Sequence, residues 1–373
     1  MKKISFAIVL FIAFYKVTLL SSALYLVFPV TILGLLLLIR DNHLIKGFIA
    51  DNFHVIGAFL LLFAFTVLID VVGGGLSSNL MGSFTLRAIT LILMSFIPAF
   101  VIIHYYVGTD LNKLRNIFII AIAIQIIFWL ITFLSTDIKV AVYSLSGHGD
   151  SVNLRPHNLS TRGFGYTSEI NFTGPFMTVV VALIFLRKFL FSAAVTLMQL
   201  VNSNMTIVAA VGGLILSKIP NYLKVLIVAV GVIAIGIAGS ILFPRFYDEF
   251  ITGGGVRTLM ILLENHVVVL NNSMWDKLYG LGVYIFDGNE KVYSDIGWVI
   301  MFNFGGWVIV LLFLILLATL SYSIFGFSML GLAWFGFGLV LNTKGLLFSP
   351  NAYMFVSFLL LLYGALTQKK VSL

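Results

Sequence analysis

Long apolar stretches, separated by short polar breaks, run along most of the chain. A transmembrane helix needs about 20 mostly apolar residues, because the lipid core holds no water to satisfy the backbone. The pattern therefore predicts an all-α polytopic membrane protein with about twelve transmembrane helices. The predicted spans are residues 4–20, 24–39, 54–72, 85–107, 116–134, 171–186, 189–201, 205–217, 222–242, 297–318, 322–341 and 346–366.

Two of these segments, 189–201 and 205–217, are shorter than a full span. The polar triplet Asn202-Ser203-Asn204 separates them. Two short spans and one re-entrant hairpin both fit this pattern. Either alternative returns the chain to the same side, so the orientation of the later segments is unchanged.

The composition excludes a water-soluble protein. Hydrophobic residues make up 61% of the 373 residues and charged residues only 10%, whereas soluble domains carry roughly a quarter charged residues. A soluble enzyme and a nucleic-acid-binding domain are therefore both excluded. The absence of cysteine excludes disulfides, thiol catalysis and thiolate metal sites. We treat residues 1–373 as a single integral membrane domain.

Lysine and arginine set the orientation of the spans, because cytoplasmic connections carry an excess of these residues. With the N-terminus inside, the inner segments hold twelve of the 22 basic residues, and the short outer connections hold almost none. Both termini are therefore predicted to be cytoplasmic, with the first span kept as an anchor. The inner basic residues are Lys2, Lys3, Arg40, Lys46, Lys113, Arg115, Arg187, Lys188, Lys218, Lys224, Lys369 and Lys370.

Two segments on the outer side, 135–170 and 243–296, are too long to be simple turns. We call them the first and second outer loops. Loops of this length are usually functional or disordered, and their many aromatic and aliphatic residues favour order. In the second loop, Asp287-Gly288 is typical of a hairpin turn. The apolar stretch 256–270 is too short to span, so we expect it at the membrane interface or against the helix bundle.

The first outer loop ends in a polar, glycine-containing run just before a span. Arg162 carries a planar guanidinium suited to a phosphate or diphosphate. Glu169 lies at the membrane boundary, where partial desolvation strengthens a carboxylate as a base. A simple ion pair between the two residues that orders the loop fits the same pattern.

Further candidates lie in the second outer loop and at the outer end of the fourth span. Arg257 follows three glycines and is placed to begin an anion site at a helix start. His266 and Asp295 are two more candidate bases, although a lone histidine in an apolar stretch is more often a packed residue. For Arg87, phosphate binding and simple snorkelling to the interface are both open. The histidines show no metal-ligand spacing, so we expect neither a metal nor a cofactor.

The order of these features resembles the O-antigen polymerase family (the Wzy type). That family also has about twelve spans and two large outer loops, separated by four spans, with an arginine in each loop. The resemblance is clearest over residues 160–310, through the sequences TRGFGYTSEINFTG, VRTLMILLENHVVVLNNSMWDKLYGLGVYIF and SDIGWVIMFNFGGWVIVLL. The first 130 residues match in hydropathy alone.

The resemblance implies a GT-C-like membrane glycosyltransferase at the periplasmic face of the bacterial inner membrane. Its substrates would be oligosaccharide repeat units on undecaprenyl diphosphate, joined without a metal. The bilayer and a chain-length regulator protein would be its other partners, with no nucleic acid involved. The residues that fit this chemistry independently are Arg162, Arg257 and Arg87 for diphosphate binding and, in order of preference for the acceptor proton, Glu169, Asp295 and His266.

Two alternatives remain open. The related O-antigen ligases share the architecture but carry a His-Asn-type pair at the start of the span after the second loop, where this chain has Ser294-Asp295. A polytopic transporter or flippase of lipid-linked sugars is expected to show internal repeats and polar sites at the membrane midplane. This sequence shows neither feature.

Overall fold

The computed structural model describes residues 2–73, 83–149, 163, 165–167, 172–186, 188–242, 247, 257–285 and 293–367. Within these ranges the chain is mainly α-helical, with one short two-stranded hairpin. Every predicted apolar segment contains a helix, which agrees with an all-α membrane protein. The chain divides into two compact units. Unit 1 holds residues 1–30, 104–257 and 373, and unit 2 holds residues 31–103 and 258–372.

In chain order the elements are α1 (Lys2–Phe14), β1 (Thr18–Leu19), β2 (Ser21–Tyr25), α2 (Phe28–Arg40), α3 (Asn42–Asp51), α4 (Phe53–Val72), α5 (Phe84–Val107), α6 (Leu111–Leu134), α7 (Thr136–Leu145), α8 (Thr173–Phe185), α9 (Phe189–Asn202), α10 (Thr206–Leu216), α11 (Asn221–Leu242), α12 (Arg257–His266), α13 (Met274–Tyr279), α14 (Gly297–Phe325), α15 (Met329–Leu341) and α16 (Ala352–Thr367).

Four helices of the described ranges, α4, α5, α6 and α14, are long and apolar enough to cross a membrane. The pair α2 and α3, bent by 85° at a short break, would add a fifth crossing if it forms one span. Other apolar helices, among them α8, α9, α10, α15 and α16, have only 10–17 residues. At about 1.5 Å per residue, the shortest of these fall well below the thickness of a hydrocarbon core of about 30 Å. The full set of twelve crossings stays a prediction.

Several predicted span boundaries are wrong; the last span, for example, was predicted from residue 346, but α16 begins at Ala352. The first span was expected to reach residue 20, but α1 ends at Phe14 and an antiparallel hairpin follows, with Thr18 opposite Tyr25. The span predicted at 322–341 begins only at Met329, because α14 continues to Phe325. Gly326 then ends α14 with a φ of 66°, a conformation that glycine adopts at little cost.

The two outer loops contain helices, as their apolar content indicated. The first loop holds α7, which begins directly after α6, and the second holds α12 and α13. The apolar stretch 256–270 forms α12 and then continues without regular structure. The hairpin predicted around Asp287-Gly288 lies outside the described residues.

Unit 1 is built around α8, whose residues are all buried. A helix that is apolar on all sides is buried by its neighbours, and here α9 and α10 pack against it while α1 packs against α6. The first outer loop is tied to the hairpin after α1. The Leu20 amide donates to the Leu145 carbonyl oxygen at 2.6 Å, and Thr18 Oγ1 donates to the Ser146 carbonyl oxygen at 2.7 Å.

Unit 2 is built around a buried helix in the same way. This helix is α16, which is buried from Ala352 to Leu362. Around it, α4 packs along α14, and α5 and α15 complete the unit. At one end of the α4–α14 pair, His54 Nε2 and Ser323 Oγ are 2.9 Å apart. At the other end, Gly73 and Gly282 lie in backbone contact. The pair thus fixes a segment of the second outer loop against the end of α4.

Helix α14 is broken at Gly305-Gly306. Gly306 has a φ of 61° and a ψ of −156°, which ends the regular helical hydrogen bonding. In a membrane, freed backbone groups are tolerated only when the protein satisfies them. Here the second outer loop does so. The amides of Leu281 and Gly282 donate to the carbonyl oxygens of Asn303 and Phe304, both at 2.9 Å.

The Asn303 side chain completes this arrangement and is fully buried. Its Oδ1 accepts from the Leu270 amide at 2.8 Å, and its Nδ2 donates to the Val268 carbonyl oxygen at 2.7 Å. A third bond, from Nδ2 to the Val299 carbonyl oxygen at 2.9 Å, returns to α14 itself. One buried amide therefore holds the loop segment 268–270 against the helix.

Candidate functional site

The described residues include only part of the predicted site. Arg162 and Glu169 lie outside them. Arg257 begins α12, but its side chain is also outside the description. Arg87, His266 and Asp295 are described, and all three belong to unit 2. The described part of the candidate site therefore lies in unit 2. The roles predicted for Arg162, Glu169 and Arg257 stay predictions.

His266 and Asp295 lie in direct contact, although 29 residues separate them in the chain. His266 is the last residue of α12, and Asp295 comes just before α14. The Asp295 amide donates to His266 Nδ1 at 3.2 Å, and Asp295 Oδ2 lies 3.8 Å from His266 Nε2. The first distance is a hydrogen bond; the second is an electrostatic contact.

Two neighbours of Asp295 hold this pair in place. Ser294 Oγ donates to the His266 carbonyl oxygen at 2.7 Å and accepts from the Ile296 amide at 3.1 Å. The Tyr293 ring meets the His266 ring edge-on, with centroids 5.1 Å apart. The serine hydroxyl therefore joins the end of α12 to the start of α14, so the two candidate groups cannot separate without breaking it.

The hydrogen bond to Nδ1 determines which groups can act in proton transfer. A ring nitrogen that accepts an N–H bond carries no proton, so neutral His266 has its proton on Nε2. The protonated Nε2, 3.8 Å from Asp295 Oδ2, is not a base. The Asp295 side chain is 64% exposed, against 13% for His266. Of the two side chains, Asp295 is therefore the one exposed to solvent, while His266 Nδ1 accepts from its backbone amide.

This arrangement differs from the sequence-based ranking in one respect. His266 and Asp295 were treated as rival bases, and the structure brings them into direct contact. Ser294 was not singled out for a structural role, yet it carries the bond that joins the two segments. No spacing rule reveals such a pairing, because it depends on the path of residues 267–293.

Arg87 lies one turn into α5 and is half-buried. Its helix begins at Ser83, whose Oγ accepts from the Leu86 amide at 3.1 Å. Asp70 supports the same helix start, since its Oδ2 accepts from the Thr85 amide at 2.9 Å and from Thr85 Oγ1 at 2.5 Å. A carboxylate at a helix N-terminus is favoured by the helix dipole. Asp70 is thus engaged in holding α5, which positions Arg87.

Unit 1 holds a group of basic side chains that the sequence analysis did not bring together. Lys16 has a φ of 49°, and its Nζ lies 5.9 Å from the centroid of the Tyr25 ring. Burial, and next the charge of Lys16, lower the pKa of His148. The His148 ring lies 5.7 Å from the ring of Tyr143, and its buried Nε2 has no hydrogen-bond partner within the described ranges. Lys139 lies one helical turn before Tyr143 on α7 and is 1% exposed.

We expect the stability of the protein to rise with pH through the buried Lys139. Burial lowers the pKa of Lys139 from 10.5 to about 8. Between these values the unfolded chain binds more protons than the folded chain, so the free energy of unfolding increases with pH across the window. One pKa unit corresponds to about 1.4 kcal/mol, which limits the gain to roughly 3 kcal/mol.

Thermal unfolding in detergent between pH 8 and 10 measures this effect. The range stops at pH 10 because burial also raises the pKa of Tyr143. Above about pH 10, tyrosine in the unfolded chain loses its proton while Tyr143 in the folded chain keeps it, so the free energy of unfolding falls. The Lys139→Met variant is the control. It should be more stable than the parent protein at pH 7, and its stability should not rise between pH 8 and 10. An equal rise in both proteins would assign it to other groups.

No group of three or more histidine, aspartate or glutamate side chains among the described residues could hold a metal ion. Comparison of the chain with protein-family models, with curated proteins and with solved structures finds no match.

Proposed function

We propose that the protein is an O-antigen polymerase, a membrane glycosyltransferase that joins oligosaccharide repeat units carried on undecaprenyl diphosphate. The reaction would occur at the periplasmic face of the bacterial inner membrane, with both termini in the cytoplasm. One observation carries the proposal: an exposed carboxylate, Asp295, is held against His266 at the start of a membrane helix. This is the place where the related ligases carry a His-Asn-type pair.

The proposed chemistry needs a base for the acceptor sugar. A sugar hydroxyl is a poor nucleophile until its proton is removed. The Asp295 carboxylate takes that proton, and the hydroxyl oxygen attacks the anomeric carbon of the growing chain. The bond from this carbon to the diphosphate breaks, and its electron pair leaves with undecaprenyl diphosphate. His266 Nε2 lies 3.8 Å from Asp295 Oδ2, and the carboxylate stays exposed to the acceptor.

The leaving diphosphate develops negative charge, which guanidinium groups can stabilise. Arg87 is proposed for this role, and the start of its helix is held by Asp70 and Ser83. Arg162 and Arg257 are proposed to share the task from the two outer loops. Because arginine binds phosphate through two parallel N–H bonds, it orients the leaving group as well as neutralising it.

The broken helix α14 is a feature that favours a transporter, since discontinuous helices often form ion and substrate sites in transporters. Such sites use unwound carbonyl groups. In this protein the carbonyl oxygens of Asn303 and Phe304 already accept from Leu281 and Gly282. The break is therefore occupied by the protein's own loop, which supports a structural role for it and favours the polymerase.

Deletion of the gene in its host tests the proposed function. Gel analysis of the surface polysaccharide separates the three alternatives. We expect a single repeat unit on the lipid core, since ligation continues when polymerisation stops. Polymer that stays on its carrier, with none on the core, would identify a ligase. Loss of both repeat and polymer, with repeat units held at the cytoplasmic face, would identify a flippase.

A further inference from the structure

A groove in unit 1 lies between α9, α10 and α11, and we call it the α9–α11 groove. Its cavity has a volume of about 400 Å³, which is within the usual range of ligand pockets, about 300–1,000 Å³. The side chains that line it are apolar apart from Thr196. An apolar ligand therefore fits this groove.

The groove follows one face of α9, at positions 189, 193, 196, 197 and 200. This is helical spacing, and α9 runs as one helix from Phe189 to Asn202. From Phe189 to Leu200 the helix rises by roughly 16 Å, about half of a hydrocarbon core of about 30 Å. The length of the groove thus matches an acyl chain from one leaflet.

A second cavity adjoins the groove at Phe189, which lines both. We call it the Lys218 pocket, and its volume is about 320 Å³. The end of α8 and the connection between α10 and α11 form the rest of its wall. Lys218 is exposed, and it is the one charged residue in the described lining of the two cavities. An apolar groove therefore ends in a pocket with a positive charge.

More positive charge lies around this pocket. Residues 171–242 contain four basic residues and no aspartate or glutamate. Lys224 Nζ donates to the Ile215 carbonyl oxygen at 3.4 Å, at the end of α10. Arg115 Nε donates to the Phe185 carbonyl oxygen at 2.9 Å, next to the α8 wall of the pocket. These residues are predicted to be cytoplasmic, and basic pockets between helices on that side bind anionic lipid headgroups.

We propose that the Lys218 pocket and the α9–α11 groove together bind one anionic phospholipid of the inner leaflet, such as phosphatidylglycerol. Its phosphate lies beside Lys218, and one acyl chain lies in the groove between α11 and the α9–α10 hairpin. The described lining of both cavities contains no residue proposed for glycosyl transfer. The lipid is therefore a structural partner, and its binding does not depend on the proposed function.

Titration of phosphatidylglycerol, and of phosphatidylethanolamine with the same acyl chains, into the delipidated full-length protein in detergent tests the headgroup. We expect phosphatidylglycerol to bind at least about fivefold more tightly, the effect of one basic residue beside an anionic lipid. Lys218→Gln should abolish this preference. Lys3→Gln is the matched control, because Lys3 is an exposed lysine on the same predicted side and lines neither cavity. It should keep the preference.

A second pair of variants tests the groove. Gly231 lines it, and a Cβ added there would meet nothing within 4 Å, so the helix should tolerate Gly231→Phe. Gly236 on the same helix is equally open but does not line the groove, so Gly236→Phe is the matched control. We expect at least about tenfold weaker binding of phosphatidylglycerol to Gly231→Phe, because the ring takes the place of buried methylenes of the lipid. Gly236→Phe should bind as the parental protein does.

Thermal unfolding gives an independent readout, because a ligand that binds only the folded state raises the melting temperature. Phosphatidylglycerol should raise the melting temperature of the parental protein and of Gly236→Phe, and the rise should be smaller for Gly231→Phe. Equal rises in all three proteins would contradict the proposal.

Other occupants of the groove would give different results. Equal binding of the two phospholipids by the parental protein would show an ordinary lipid-contact surface. Parental binding by Gly231→Phe and by a second groove-filling variant, Ala193→Phe, would exclude the groove. Displacement of phosphatidylglycerol by an equal amount of undecaprenyl phosphate would assign the groove to the proposed substrate. A parental dimer that Gly231→Phe converts to a monomer, seen by native mass spectrometry, would assign it to a second copy of the chain. Each of these results would overturn the proposal.

Discussion

Replacement of Asp295 by asparagine is expected to reduce chain extension by about 10²–10⁴-fold, the usual cost of losing a general base. The amide keeps the size of the side chain and its backbone hydrogen bond to His266 Nδ1, so the fold should be unchanged. It cannot accept the acceptor proton. Binding of the lipid-linked repeat unit should therefore be retained, and the loss should be in the rate of extension.

A purified assay with lipid-linked repeat units measures this effect. Glu264→Gln is the matched control, because Glu264 is an exposed carboxylate two residues from His266 on α12. It should extend chains at the parental rate. If Asp295→Asn also does so at equal protein levels, Asp295 is not the base. Glu169→Gln is then the next variant, since Glu169 stood first in the sequence-based ranking.

The second large effect is expected from alanine at Gly306. Its φ of 61° is costly for any residue with a Cβ, and the added atom would overlap the backbone of Leu278. Strained positions of this kind cost about 1–3 kcal/mol each before any overlap is counted. We therefore expect a clear fall in the yield and melting temperature of the purified protein.

Gly336 provides the control for this experiment. It lies in α15 of the same unit, and an added Cβ there would meet nothing within 4 Å. Gly336→Ala should leave the melting temperature unchanged or raise it slightly, because alanine favours a helix by about 1 kcal/mol over glycine. Equal melting temperatures for Gly306→Ala and the parental protein would show that the second loop does not depend on the break.

Hydropathy predicted the helices well and their ends less well. The lipid core imposes a simple rule on apolar length, so each apolar segment contains a helix. The ends depend on local bonds that hydropathy ignores. Ser323 was taken as part of a new span, yet it belongs to α14 and contacts His54 on α4. The break at Gly305-Gly306 was missed because it falls inside a continuous apolar run.

The candidate site was also predicted only in part. His266 and Asp295 were selected individually from their residue types and their positions in the chain. Their contact depends on the loop between them, and that loop is held by Asn303, which lies inside a predicted span and carried no signal of a polar role. Lys139 was missed because one lysine in a loop gives no sign of burial. Its position on the buried face of α7, one turn from Tyr143, becomes visible only in the structure.

The bonds between the second outer loop and α14 also limit how the site can move. Leu281 and Gly282 bond to the carbonyl groups of the break, Asn303 bonds to residues 268 and 270, and Ser294 bonds to His266. These bonds join the described loop residues 266–282 and Ser294 to the first part of α14, and so hold His266 and Asp295 on one bonded unit. Tilting of α14 would move the two groups together and leave their separation constant. If the proposed site is correct, the described part of the second loop would be a fixed wall of the site instead of a lid.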